Sequence, residues 1–315
     1  MIKEYICLSD IPTLLVTQKG IDNTTINSQI FEEKTYLNSM KPYLDLFATG
    51  RDPINQKRLY PDKVDFKKYI ECNKLDAAIS GTLHLYIGCF EKRLRCFVID
   101  KICGNMRAIG DIECKNVKVF EDYKKGLPLF DFLPYPTLEP KSAADGKFGE
   151  AIDKVISRMN PAKETSHILS EHYRTKHGFI PAFVVLQTLS LGDLVSLFSH
   201  LSLANRRAFV SAYRQSNAPN YFSESDMRVV QHNFVNINIM RNIINHYQPI
   251  FPYISNYKPY MVKTLEDNLM FLKKNYQSSK SVASFTFEML PLSFSGAECS
   301  ADYFHKITCV IDALS

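Results

Sequence analysis

The chain reads as a mostly α-helical protein, and three observations predict it. Apolar residues recur at three- and four-residue steps over long stretches. Prolines and turn residues cluster between those stretches rather than inside them. Phosphate-cradling glycine patterns are missing and the sequence holds only 12 glycines, which argues against an α/β nucleotide-binding fold.

With 315 residues, of which 45% are hydrophobic and 23% charged, the chain is long enough for one large domain or two small ones. The net charge of +5 permits a polyanionic partner without requiring one. None of the eight cysteines forms a C-x-x-C pair, and Cys89, Cys96 and Cys103 repeat every seven residues. That spacing places them near one helical face, as small buried hydrophobes in a reducing compartment rather than a disulfide framework. Neither a secretory-type leader nor a run of about 18 apolar residues is visible, so a cytoplasmic protein away from membranes is expected.

Residues 1–60 read as a helical extension. Residues 64–105 carry the stripe Leu83, Ile87, Phe90, Leu94 and Phe97/Val98, with a stop signal at Gly104-Asn105. Pro128, Pro134, Pro136 and Pro140 rule out a long helix in an irregular insertion at about 107–147, and helical character returns near Phe148. Pro181 fits the first position of a helix whose run Phe183–Leu189 should be buried, and a second helix is expected from Leu191 to Arg207. Ser223–Asp226 offers capping chemistry for a helix running to Gln248, where Pro249 ends it. A further helix is expected from about Thr264 to Tyr276, then a tail over 277–315 with a possible strand at Ala283–Phe287. The domain reading is thus an extension (1–60), a helical domain (61–276) and a tail (277–315).

The densest polar chemistry lies near the end of the Ser223–Gln248 helix. Ile237, Met240, Ile243, Ile244 and Tyr247 form one apolar stripe, while Arg241, Asn242, Asn245 and His246 fall on the other side. Asn242 and His246, and likewise Arg241 and Asn245, are i,i+4 neighbours. Asparagine is a poor helix former, so a free surface would do better with Lys, Glu or Ala. A solvated face explains the same spacing, and spacing alone slightly favours it. Histidines 167, 172 and 177 recur every five residues, which spreads them around a helix, unlike the i,i+4 pair of a zinc site; no metal or other cofactor is expected.

The string IMRNIINH (239–246) resembles the R-N-x-x-x-H form of the R-x-x-x-x-H motif of HEPN ribonucleases. The stretch EHYRTKHGFIPAFVVLQTLSLGDLVSLFSHL (171–201), with Pro181 and Gly192, and the stretch IGCFEKRLRCFVIDKI (87–102), with Glu91 and Arg95, resemble the central and early blocks of the Abi-like (abortive infection) family. The likeness spans about 64–275, with an echo at 20–43. Phe183 stands where the family often has Trp, and Gln187 where an acidic residue is usual.

The resemblance implies a HEPN-like helical bundle with an irregular insertion and short terminal extensions. It implies a phage-defence or toxin-type endoribonuclease that works without a metal, from two facing protomers of a homodimer, under an RNA or protein antitoxin. His246 would be the general base on a ribose 2′-hydroxyl, Arg241 would stabilise the phosphorane, and Asn242 would orient the histidine or the phosphate, with Asn245 beside them. Glu91 and Arg95 read either as a supporting pair for that site or, more simply, as an ordinary i,i+4 ion pair. Arg206, Arg207 and Arg214 read equally as RNA phosphate contacts or as a solvated turn. The alternative of another class is a non-catalytic RNA-binding or regulatory module in the same defence setting; a purely structural interaction protein is a weaker third.

Overall fold

The computed structural model describes residues 7–26, 49–60, 63–129, 131–136, 143–163, 166–213 and 223–248. As expected, the chain is mostly helical. In order come α1 (Ile11–Lys19), the two-residue strands β1 (Gly50–Arg51) and β2 (Arg58–Leu59), α2 (Phe66–Ala108), α3 (Lys118–Lys124), α4 (Ala143–Met159), α5 (Ile168–His177), α6 (Ala182–Gln187), α7 (Leu191–Ser199), α8 (Leu203–Tyr213) and α9 (Glu224–Asn245). Contacts divide the chain into two units, 1–86 with 239–315, and 87–238. The expected helix at 264–276, the strand at 283–287 and the tail at 277–315 lie outside the described residues.

In the first unit α1 ends on Gly20, whose φ of 64° is left-handed and cheap only for glycine. The chain then bridges in parallel, Val64 N–H to the Gly20 carbonyl at 2.8 Å and Asp22 N–H to the Val64 carbonyl at 2.9 Å. Thr25 Oγ1 accepts from the Phe66 N–H at 2.9 Å, where α2 begins. Ile11, Leu15, Ile21, Val64 and Phe66 are buried here. The extension is thus not wholly helical: β1 and β2 pair antiparallel around a turn in which Asp52 Oδ1 accepts from Ile54 N and Asn55 N.

The second unit is built on the part of α2 from Ile87 onward. Ile87, Phe90, Leu94, Val98, Ile102 and Met106 step by three and four and are each at most 2% exposed. Each such side chain contributes roughly 1.5–3 kcal/mol by leaving water. Phe90 meets Phe234 of α9 edge-on at 4.7 Å, Phe234 meets Phe198 of α7 at 5.0 Å, and Phe198 meets Phe209 of α8 at 5.2 Å. Phe148, Ala151, Ile152, Val155 and Met159 turn the apolar face of α4 inward, and α4 packs most extensively on α7 and α6.

Several boundaries move. Gly104-Asn105 does not stop α2, because Asn105 is buried and donates to the Lys101 carbonyl at 2.6 Å inside the helix; the chain turns at Gly110, with φ 92°. The insertion contains α3, and α4 starts at Ala143. The helix expected from Leu191 to Arg207 is two: His200–Ser202 break it, with Leu201 bridging Phe132 and the Ser202 N–H bound to the Asp131 carbonyl at 2.6 Å. Pro181 is the residue before the first turn of α6, not in it. The heptad cysteines are free, as expected, but not buried: Cys96 is exposed and Cys89 and Cys103 are half-buried, because the core stripe runs beside them through Phe90, Leu94 and Val98.

Candidate functional site

The C-terminal turns of α9 present the predicted polar cluster. Ile237, Met240 and Ile243 are buried, while Asn242, Asn245 and His246 are exposed and Arg241 is half-buried. Arg241 Nη1 donates to Asn242 Oδ1 at 3.4 Å. With the Asn245 amide turned so that its oxygen faces the guanidinium, that oxygen accepts from Nε and Nη1 of Arg241, both at 3.1 Å. The i,i+4 spacing of Arg241 and Asn245 thus becomes a contact, and the two amides orient the guanidinium. The half-exposed Val235 and Ile239 lie along the same side of the helix as Asn242 and His246.

The helix ends earlier than Pro249 requires. Gln248 N–H binds the Ile243 carbonyl at 2.9 Å and Tyr247 N–H binds the Ile244 carbonyl at 3.0 Å, the double-bonded Schellman termination. Tyr247 is the left-handed residue of that motif, with φ 54°. This corrects the predicted stripe: the reversal swings Tyr247 out of it to 87% exposure. His246 caps the helix, its N–H on the Asn242 carbonyl at 3.0 Å and its imidazole exposed.

Glu91 and Arg95 do form an ion pair, 2.5 Å between Arg95 Nη2 and Glu91 Oε1, but Arg95 has a second task. Its Nη1 donates to the carbonyls of Leu186 (3.0 Å), Gln187 (2.7 Å) and Leu189 (2.9 Å). Arg158 of α4 donates to Thr188 O at 2.9 Å and Thr188 Oγ1 at 2.7 Å. Two arginines therefore satisfy the carbonyls that the end of α6 leaves open, where a cation also suits the helix dipole. Next along, Ser190 and Asp193 close a capping box on α7, and Lys154 Nζ sits 2.6 Å from Asp193 Oδ1. Burial pushes the Asp193 carboxyl up, but Lys154 and Ser190 outweigh it and hold it below the usual carboxylate range.

Arg206 and Arg207 are half-buried neighbours on α8, and the Nε of each is covered and makes no hydrogen bond. Burial pulls the Arg206 guanidinium below its ordinary value; Glu224 opposes this and Arg207 adds to it. Arg214 lies outside the described residues.

Among the described residues no His, Cys, Asp or Glu group has the arrangement of a metal site. His167 caps α5 through its ring, but the rings of His172 and His177 come within 5.9 Å, gathered around Tyr173. His200 is the C-cap residue of α7. It is buried, stacked on Phe148 at 3.7 Å and 9°, with Nδ1 3.2 Å from the Ser196 carbonyl and Nε2 3.4 Å from Asp145 Oδ1. Burial pulls its basicity down, and although both oxygen acceptors pull the other way, burial wins.

Among the described residues no helix is long and apolar enough to cross a membrane. A family model described as Abi-like protein matches residues 29–252, more than half of the chain, and this span includes α9 with its Arg241–His246 cluster. No curated protein and no solved structure matches.

Proposed function

The chain belongs to the Abi-like family, which supports a role in phage defence by abortive infection, and from that premise we propose that it is an endoribonuclease centred on Arg241 and His246. One observation carries the reading: an arginine oriented by two asparagines shares the polar side of a helix with an exposed histidine at its end. In the proposed reaction the His246 imidazole takes the proton of a ribose 2′-hydroxyl. The freed 2′-oxygen attacks the adjacent phosphorus, and the bond to the 5′-oxygen breaks as that oxygen takes a proton from solvent, to which the His246 imidazolium returns its own. A cyclic phosphate and a 5′-hydroxyl result.

Arg241, permanently charged and forked, meets the extra negative charge of the phosphorane. Asn242 and Asn245 keep its fork in place. DNA lacks the attacking hydroxyl and is spared. In this reading two such sites face each other in a homodimer, and an RNA or protein antitoxin holds them silent. Glu91 and Arg95 act as scaffold, through the α6 carbonyls.

A second reading, an RNA-binding or regulatory module without catalysis, is favoured by the adjacent cations Arg206 and Arg207 on α8. Incubating purified protein with cellular RNA in EDTA, wild type beside His246→Ala, separates the two. Cleavage by wild type alone, leaving cyclic-phosphate ends, is the expected result. RNA retained but uncut by both proteins selects the binding module. Equal cutting by both refutes the assignment of His246.

A further inference from the structure

Helix α5 wears its rings on the outside. The one buried residue of this ten-residue helix is Ser170. Leu169, His172, Tyr173, Lys176 and His177 recur at three- and four-residue steps, the pattern that normally buries a helix face. Here Leu169, His172, Lys176 and His177 are exposed and Tyr173 is half-buried.

The rings form one group. Tyr173 stands edge-on to Phe183 of α6 at 5.7 Å, which fixes it from below. His177 lies 5.2 Å from Tyr173 at a tilt of 36°, and His172 lies 5.9 Å from His177. Phe179, just past the left-handed Gly178, comes within 6.0 Å of His177 and carries the Lys115 ammonium 5.0 Å above its ring. Lys176 and Arg174 add positive charge; Glu171 pairs with Arg174 and Glu113 with Lys115.

We infer that this face of α5 with Phe179 is a stacking surface for the bases of single-stranded RNA, an inference that rests on the reading of the chain as an RNA-acting protein. Imidazole, phenol and phenyl faces stack on any base, and sequence-tolerant single-strand sites combine such rings with cations that follow the backbone. Anchoring through Tyr173 and Phe183 means little side-chain freedom is lost when a base lands. The exposed rings are mostly imidazoles with polar edges, which suit bases better than an aliphatic peptide side chain.

The test measures anisotropy of a labelled 2′-O-methyl oligouridine, which cannot be cut by 2′-hydroxyl attack, and maps ultraviolet crosslinks. Wild type and the pair His172→Ala/His177→Ala are compared, with circular dichroism verifying that each is folded. Both substituted positions are exposed, so the pair should fold normally. Its affinity is expected to fall about ten-fold or more, with wild-type crosslinks falling within 172–179. Equal affinity in the pair, with crosslinks elsewhere, overturns the surface but leaves an RNA-acting protein. No binding by wild type overturns both. Protection of 172–179 by a second copy of the chain instead of by RNA also overturns it. Binding at 172–179 with unmodified RNA left uncut supports the surface and removes the nuclease reading alone.

Discussion

Arg95→Ala is predicted to be among the most destabilising single changes in the second unit. The guanidinium gives three bonds to backbone carbonyls and one to Glu91, and the two side chains are only 14% and 19% exposed. Hydrogen bonds to a charged group are each worth about 1.5–3 kcal/mol, and losing one partner of a buried ion pair costs roughly 3–5 kcal/mol. Those figures overlap, and water can reach exposed Gln187, so a loss of about 3 kcal/mol is expected rather than their sum. The assay is urea unfolding followed by far-ultraviolet circular dichroism. Arg95→Lys keeps the charge but not the fork, and should lose about half as much. Adding Glu91→Gln to each background isolates the ion pair from the carbonyl bonds. A loss below about 1 kcal/mol for Arg95→Ala would show that solvent replaces these bonds freely and would refute the capping role.

Other sites give sharper local outcomes. A Cβ on Gly192 would lie 3.2 Å from Asn238 Nδ2, so Gly192→Leu should lower stability by roughly 1–3 kcal/mol through overpacking, read from the same urea curves. Tyr247→Gly should gain about 1 kcal/mol by relieving the left-handed strain, and failure to gain would count against the Schellman end. His200 binds its proton less readily folded than unfolded, so its contribution is complete above the unfolded value of about 6.5 and is lost as pH falls through the folded one. Thermal unfolding of His200→Gln between pH 7 and pH 5, about the range in which histidine titrates, should therefore depend less on pH than that of wild type.

Legibility followed period and proximity. The stripe Ile87–Phe90–Leu94–Val98 was visible because a repeated step decides the face of a helix regardless of its partners, whereas of the run Phe183–Leu189 only Val184, Val185, Leu186 and Leu189 are buried and Gln187 is exposed. The break at His200–Ser202 was not visible, because nothing in the run Ser199–Leu203 forbids a helix. It comes from the pairing of Leu201 with Phe132, a residue far away in sequence. Tyr247 failed for a related reason: a left-handed residue is announced by glycine or asparagine, and a tyrosine gives no such signal. The double role of Arg95 was hidden because i,i+4 spacing shows Glu91 but not carbonyls some ninety positions on.

The polar cluster itself was legible only in part. Spacing placed Arg241, Asn242, Asn245 and His246 on one side but could not say whether they touch. The geometry adds an asymmetry: both amides serve the arginine, and the histidine is held through its backbone at the helix end. An ordinary solvated face has no need to orient one guanidinium with two poor helix formers, each costing several tenths of a kcal/mol relative to alanine. A site that must receive a phosphate has that need, since a forked donor recognises a planar pair of oxygens only when its own plane is set. If orientation is the purpose of the asparagines, Asn245→Ala should lower the turnover of RNA more than its affinity. A solvated face predicts no change in either, beyond a small gain in helix stability.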